Sequence, residues 1–156
     1  MNEVYIMSAT RSPVGAFGGS LKDFDPVDLG AIVAKESIKR SNISPEEIGH
    51  AVFGNVIHTE PRDMYVSRVI ALNSGLNKDS CALTVNRLCG SGLQAIVSAS
   101  QLILLGDTEI ALAGGVEVMS SGTHVVKGFR WGNRMGDSKV FDMMSVSYTH
   151  LTLPTI

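Results

Sequence analysis

The chain has 156 residues, the length of one ordinary domain. Its 44% apolar and 18% charged residues supply a core and exclude a disordered chain. Thirteen Lys and Arg against fifteen Asp and Glu leave a net charge of −2, which gives no electrostatic basis for binding nucleic acid or an anionic membrane surface.

No uninterrupted apolar run reaches about 18 residues, so no membrane span is expected. Val4-Tyr5-Ile6-Met7 follows no basic stretch and does not read as a leader. Two cysteines, Cys81 and Cys89, are too few for a secreted disulfide scaffold, and a reducing cytoplasm is the expected setting.

Strand and helix signals alternate along the chain. Val4 to Ala9 reads as a buried strand. Thr10 to Phe24, with Pro13, Gly15, Gly18 and Gly19, reads as a long loop. A helix follows, with Asp25 as cap, Pro26 at the first position, and Val27, Ala31, Ala34 and Ile38 on one face. Ser44-Pro45-Glu46-Glu47 is a capping box opening a short helical turn. Ala51 to Ile57 is a second strand, Met64 to Asn73 a helix stopped by Gly75, and Ala82 to Asn86 a third strand. A helix from about Cys89 or Gly90 to Leu105 ends at Gly106. Ile110 to Ala113 is a fourth strand closed by Gly114-Gly115, and Val116 to Met119 continues as a fifth. Such alternation indicates an α/β sheet with parallel neighbours. The helix ending at Leu105 is apolar nearly all round, so it should lie between layers, and a further layer is expected over it. After Ser120 the chain reads as an irregular excursion through Gly122, Gly128, Gly132 and Gly136.

The sharpest chemical feature is Val85-Asn86-Arg87-Leu88-Cys89-Gly90-Ser91-Gly92. A strand ends, a tight turn follows, and a helix begins beside a cysteine. Free N–H groups and the dipole at a helix start favour an anion, a setting that suits a nucleophilic thiol. The same N–H groups suit an oxyanion. The alternative is a buried structural cysteine, and spacing leaves both readings standing. Cys81, just before a strand, reads as structural.

Other signals are weaker. Gly15 to Gly19 lacks the Lys-Ser/Thr of a phosphate loop and reads as a turn. Glu117, at a strand end, reads as a buried hydrogen-bonding carboxylate sooner than a base. His50, His58, His124 and His150 show no metal-ligand spacing. Arg62, Arg68, Lys127, Arg130 and Arg134 read as solvated cations, and Trp131 as a packing anchor.

Taken together, these segments resemble the thiolase family. Ser8 to Leu21 resembles its opening strand and loop, and Gly54-Asn55-Val56 its second strand. Asn86-Arg87-Leu88-Cys89-Gly90-Ser91-Gly92-Leu93-Gln94-Ala95-Ile96 resembles the nucleophile signature, and Ala113-Gly114-Gly115-Val116-Glu117-Val118-Met119-Ser120 the second signature. Arg130-Trp131-Gly132 with Met135-Gly136-Asp137 resembles the start of the excursion domain. The nearest likeness is to bacterial acetyl-CoA acetyltransferases and β-ketothiolases, with Thr59 to Tyr65 leaning toward the branch that supplies polyhydroxyalkanoate precursors.

The resemblance implies an α/β thiolase-like fold. The chain would be the first βαβαβαββ half of a five-layer α-β-α-β-α architecture plus the start of the excursion, or loop, domain. Residues 1–119 would form that half, 120–144 would open the loop domain, and 145–156 would be a tail foreign to the family, so His150 would carry no function. Also implied is reversible Claisen condensation of acyl-CoA thioesters, with Cys89 as nucleophile and its own N–H in an oxyanion hole. Coenzyme A thioesters would be substrates, with no bound cofactor or metal, no nucleic acid or membrane partner, and a homotetramer or homodimer at full length. The family's Gly-His-Pro, second cysteine and Asn-Glu-Ala-Phe segments do not occur in these residues. The alternatives are a catalytically incomplete fragment or a thiolase-like lipid-transfer protein. A ketoacyl synthase fits less well, because the Cys-Gly-Ser-Gly and Gly-Gly-Val-Glu-Val-Met-Ser segments favour a thiolase.

Overall fold

The structure, a computed structural model, describes residues 3–145. The 16-residue helix α1, Pro26–Ser41, starts where the extended backbone of Asp25 meets Pro26 and stops where Asn42 turns left-handed at φ 58°. Asp25 occupies the cap position, but its carboxylate pairs with Arg62 instead of capping the helix. The expected capping box is present, with the Ser44 N–H donating to Glu47 Oε2 at 2.9 Å.

Three strands form the central sheet: β1 (His50–Gly54), β2 (Cys81–Val85) and β3 (Ala111–Gly115). Their order is β2-β1-β3 and both pairings are parallel. Helix α2, Val66–Asn73, is entered through a 3-10 turn at Pro61–Tyr65, and α3 spans Ser91–Leu105.

Side-chain alternation along β1 builds two cores. Ala51 and Phe53 point to one face, where they meet Val27, Ala34 and Ile38 of α1 and Val66, Ile70 and Ala71 of α2. Val52 points to the other face, against Ala95 and Ala99 of α3. Helices therefore cover both faces of a parallel sheet, as the alternating pattern predicts.

Three expectations need correction. Residues 4–9 form no strand in the structure, and Ile6 is 77% exposed. The segment is tethered to α1 by side chains instead: Ser8 Oγ donates to the Ser37 carbonyl (2.8 Å) and Thr10 Oγ1 to the Val33 carbonyl (3.1 Å). A cleft of about 830 Å³ separates it from β3, lined by Tyr5, Met7, Ile96, Ile103 and Leu112 among others. With that cleft between it and β3 the segment has no strand to pair with, so an apolar pattern alone could not make it a strand.

The second correction concerns Val116–Met119, which leaves the sheet and enters a 3-10 turn at Met119–Ser121. The Val116 N–H donates to the Gly54 carbonyl at 3.0 Å, and the chain then departs. The third concerns the excursion, which is more regular than expected. Strands β4 (His124–Val126) and β5 (Val140–Asp142) pair antiparallel, with Lys127 lying 5.3 Å from the Phe141 ring centre. Trp131, expected as a packing anchor, is 87% exposed.

The Gly15–Gly19 stretch is the expected turn, with the Gly19 N–H on the Ala16 carbonyl (2.9 Å). Among the described residues no further layer covers helix α3, though its composition calls for one. Ala95 and Ala99 are buried, while Leu93 is 70% and Leu105 78% exposed. The stretch Leu88–Leu105 is 18 residues long and apolar enough by composition to cross a membrane, although Ser and Gln residues interrupt it. Its helical part has 15 residues, about 22 Å at 1.5 Å per residue, short of a hydrocarbon core of about 30 Å. Its small face is built into the sheet core.

Candidate functional site

The three parallel strands end level with one another: Gly54 pairs with Val85 on one side and with Gly115 on the other. The loops leaving these ends carry Asn55, the turn 86–90 and Glu117, so the motifs singled out in the sequence meet at the carboxyl edge of the sheet. Sites in parallel α/β sheets gather at this edge.

The turn is held by its own polar groups. The Gly90 N–H donates to the Arg87 carbonyl (3.1 Å) and the Ser91 N–H to the Leu88 carbonyl (3.0 Å). Ser91 Oγ accepts from the Arg87 N–H at 2.8 Å and donates to the Leu88 carbonyl at 2.6 Å. Asn86 Oδ1 accepts from the Leu88 N–H at 3.0 Å. Leu88 sits at φ 51°, the left-handed region. A residue with a Cβ is disfavoured there by roughly 1–2 kcal/mol, so the surrounding bonds must enforce it.

Cys89 follows this strained residue and is exposed. Helix α3 begins two residues later, at Ser91, with Gly90 as its cap. The expected start at Cys89 or Gly90 is thus slightly early, because the N–H groups of Gly90 and Ser91 are taken up by the turn. The thiol stands on the apex of the turn, ahead of the helix. Cys81, expected to be structural, opens β2 and is also exposed.

Beneath the turn the backbones come close together. A Cβ on Gly54 would lie 2.6 Å from Ser91 Cβ, 2.7 Å from the Ser91 carbonyl carbon and 2.9 Å from the Gly92 nitrogen. A Cβ on Gly115 would lie 3.1 Å from Gly92 Cα. Only glycine at both strand ends lets α3 seat this deeply.

Beside the turn, Glu117 organises the loop after β1. Its Oε1 accepts from the Ile57 N–H (2.8 Å) and Asn55 Nδ2 (3.1 Å), and its Oε2 from the Val56 N–H (3.0 Å). Burial raises the Glu117 carboxyl above the ordinary range, and the Ile57 and Val56 N–H groups pull it back in part. Its hydrogen-bonding role is as expected, but the residue as a whole is exposed and not buried, because it lies at the surface end of the loop after β3. Farther along the loop, buried Asp63 Oδ2 accepts from the Thr59 N–H (2.7 Å), the Thr59 hydroxyl (3.0 Å) and the Glu60 N–H (2.9 Å).

Two of the scattered cations are not merely solvated. Arg62 pairs with Asp25 and Asp28 of the α1 start, and Arg68 donates to the carbonyls of Ser80 (2.6 Å) and Lys78 (2.8 Å). No group of three or more metal-ligating side chains occurs among the described residues, and His150 lies outside them.

Sequence reasoning missed Ser91, Asn55 and the glycine seat at Gly54 and Gly115 as parts of the site. A glycine ending an apolar strand is the signal for the seat, since it marks a close backbone approach. Nothing in the sequence pattern announces the bridging hydroxyl of Ser91.

Known proteins share the sequence and fold of this chain. The family model "Thiolase, N-terminal domain" matches residues 4–153. The beta-ketothiolase BktB of Cupriavidus necator is 57% identical over 142 residues, covering 91% of this chain and 36% of that protein. The human mitochondrial 3-ketoacyl-CoA thiolase is 40% identical over 154 residues, covering 97% of this chain and 39% of that protein. Among solved structures, a human mitochondrial 3-ketoacyl-CoA thiolase in complex with CoA superposes with TM-score 0.87 at 40% identity, over 92% of this chain and 36% of that one. The Bacillus anthracis acetyl-CoA acetyltransferase superposes with TM-score 0.83 at 39% identity, over 89% and 35%. The chain thus spans little more than a third of the length of the relatives it matches.

Proposed function

The chain belongs to the thiolase family, and from that premise we propose that Cys89 is the acyl-accepting nucleophile of an acyl-CoA C-acyltransferase, acting in the full-length polypeptide that carries these residues. The observation that carries the reading is the exposed thiol at the apex of a strained strand-to-helix turn, at the carboxyl edge of a parallel sheet.

In this reaction Cys89 Sγ attacks the thioester carbonyl carbon of an acyl-CoA. The tetrahedral oxyanion is met by the Cys89 N–H, and coenzyme A leaves as its thiol, giving an acyl-cysteine. In condensation, the α-carbon of a second acetyl-CoA attacks this acyl group, releasing a 3-ketoacyl-CoA and restoring the thiol. Thiolysis is the reverse. The base for Cys89 and the group that moves the α-proton belong to Gly-His-Pro and second-cysteine segments of the kind the family carries elsewhere. Coenzyme A thioesters are the substrates, and no metal or bound cofactor takes part.

Residues 1–119 act as the first half of the catalytic domain and 120–144 open the loop domain. The cleft beside β3 and the exposed face of α3 are then surfaces for the rest of the polypeptide and for a second subunit in a dimer or tetramer. A reducing cytoplasm suits the two free thiols. The alternative, a catalytically incomplete piece, applies to the 156 residues by themselves, since the chain spans about 36% of its relatives' length.

The test is thiolysis of acetoacetyl-CoA by the full-length polypeptide. Cys89→Ala should lower kcat by at least roughly 10³-fold, in line with loss of a covalent nucleophile. Activity within tenfold of wild type in that variant would overturn the assignment.

A further inference from the structure

We propose that Ser91 is a positioning residue for Cys89: its single hydroxyl clamps the left-handed turn that presents the thiol and transmits to it the fixed position of the sheet edge below. This inference rests on the reading of Cys89 as the nucleophile.

Ser91 is 4% exposed, although it stands two residues from an exposed cysteine. Its Oγ uses both hydrogen-bonding capacities on the two residues before Cys89, accepting from the Arg87 N–H and donating to the Leu88 carbonyl. These bonds flank the one turn residue at positive φ, Leu88 at 51°. A leucine does not adopt that conformation unaided, so something must hold it there. Asn86 Oδ1 assists from the exposed side through the Leu88 N–H.

Ser91 is fixed in turn from beneath. Gly54, the last residue of β1, leaves no room for even a methyl group between itself and Ser91. Gly115 approaches Gly92 Cα in the same way. The line of contact therefore runs from the paired strand ends to Ser91, through one oxygen to Leu88, and on to Cys89. Without that oxygen, Leu88 can relax to negative φ, and Cys89 swings off the apex while the sheet and helix stay in place.

The test uses the full-length polypeptide and follows acetoacetyl-CoA thiolysis together with the rate of Cys89 alkylation by iodoacetamide. Ser91→Ala should lower kcat about 10–100-fold with KM within twofold, and should slow alkylation, while the circular dichroism of the folded state is kept. The discriminating variant is Ser91→Ala combined with Leu88→Gly. Glycine takes up positive φ without strain, so the second change should return kcat at least fivefold toward wild type. A hydroxyl that served only packing would give no such recovery, and the double variant would be no better than the single one. Should Ser91→Ala not fold, Asn86→Ala, at an exposed position on the same turn, is read with and without Leu88→Gly in the same way. Wild-type kcat in Ser91→Ala, or no recovery in the double variant, would overturn the positioning role. Retained activity in Cys89→Ala would instead overturn the reading beneath it, so the two failures are distinguishable.

Discussion

Replacing Gly54 by alanine tests the seat on which the site is built. The added Cβ would stand 2.6 Å from Ser91 Cβ and under 3 Å from two backbone atoms of Ser91 and Gly92. Ordinary carbon contacts lie at about 3.5–4.0 Å, so something must move by on the order of 1 Å. None of the three obstructing atoms is the end of a flexible side chain, and the strand is hydrogen-bonded on both sides. The helix start must therefore yield. Overpacking in a tight interior costs about 1–3 kcal/mol, and the upper end applies here because the neighbours are rigid. A displacement of that size at a reacting group lowers rate by roughly 10²-fold. Urea denaturation measures the first quantity, and thiolysis by the full-length polypeptide measures the second. Gly92→Ala is the control, since a Cβ there meets nothing within 4 Å and alanine favours the helix. If Gly54→Ala matched wild type within about 0.5 kcal/mol and twofold in kcat, the close approach would not position anything.

Three further outcomes follow from the same structure. Asp63→Ala strips three hydrogen bonds from a fully buried carboxylate and should cost about 3 kcal/mol in urea unfolding, whereas a loss under about 1 kcal/mol would show that the loop holds without it. Glu117 carries a pH signature. Its folded carboxyl is raised above 4.5 by burial, so its stabilising contribution is complete below that value and is lost as pH rises through the folded value. Relative to Glu117→Gln, wild type should lose stability from pH 4.5 upward, and a gap that is flat or grows in its favour contradicts the burial argument. The 156 residues alone, with Leu93 and Leu105 of α3 exposed, should self-associate in sedimentation and show no measurable thiolysis, while a monodisperse, active monomer would refute both expectations.

Much of this architecture was legible in the residues because it rests on local rules. Pro26 after Asp25, the Ser44 to Glu47 box and Gly106 fixed helix limits to within a residue or two. The alternation of strand and helix signals marks an α/β sheet with parallel neighbours, which β2, β1 and β3 form. Residues 4–9 carry a strand pattern without forming a strand, because a strand is a relation between two segments and the pattern of one cannot supply its neighbour. Helix α3 starts later than its pattern suggests because the Gly90 and Ser91 N–H groups that would open a helix are spent on a tighter turn. Cys89 stands out in the sequence as the candidate nucleophile through its chemistry and its place between a strand and a helix. Its supports do not, because a close approach of Gly54 to Ser91 joins residues 37 positions apart and leaves no local trace. Glu117 is the hydrogen-bonding carboxylate its place at a strand end suggests, but it is exposed and not buried, and its partners lie some 60 residues away in the loop after β1.

The central claim is most directly met by mass spectrometry of peptides from the full-length polypeptide, quenched in acid after brief mixing with acetyl-CoA. The account predicts an added acetyl group on the peptide holding Cys89, removed by addition of coenzyme A. An acetyl group on Cys81 or any other side chain, with Cys89 unmodified, would contradict it.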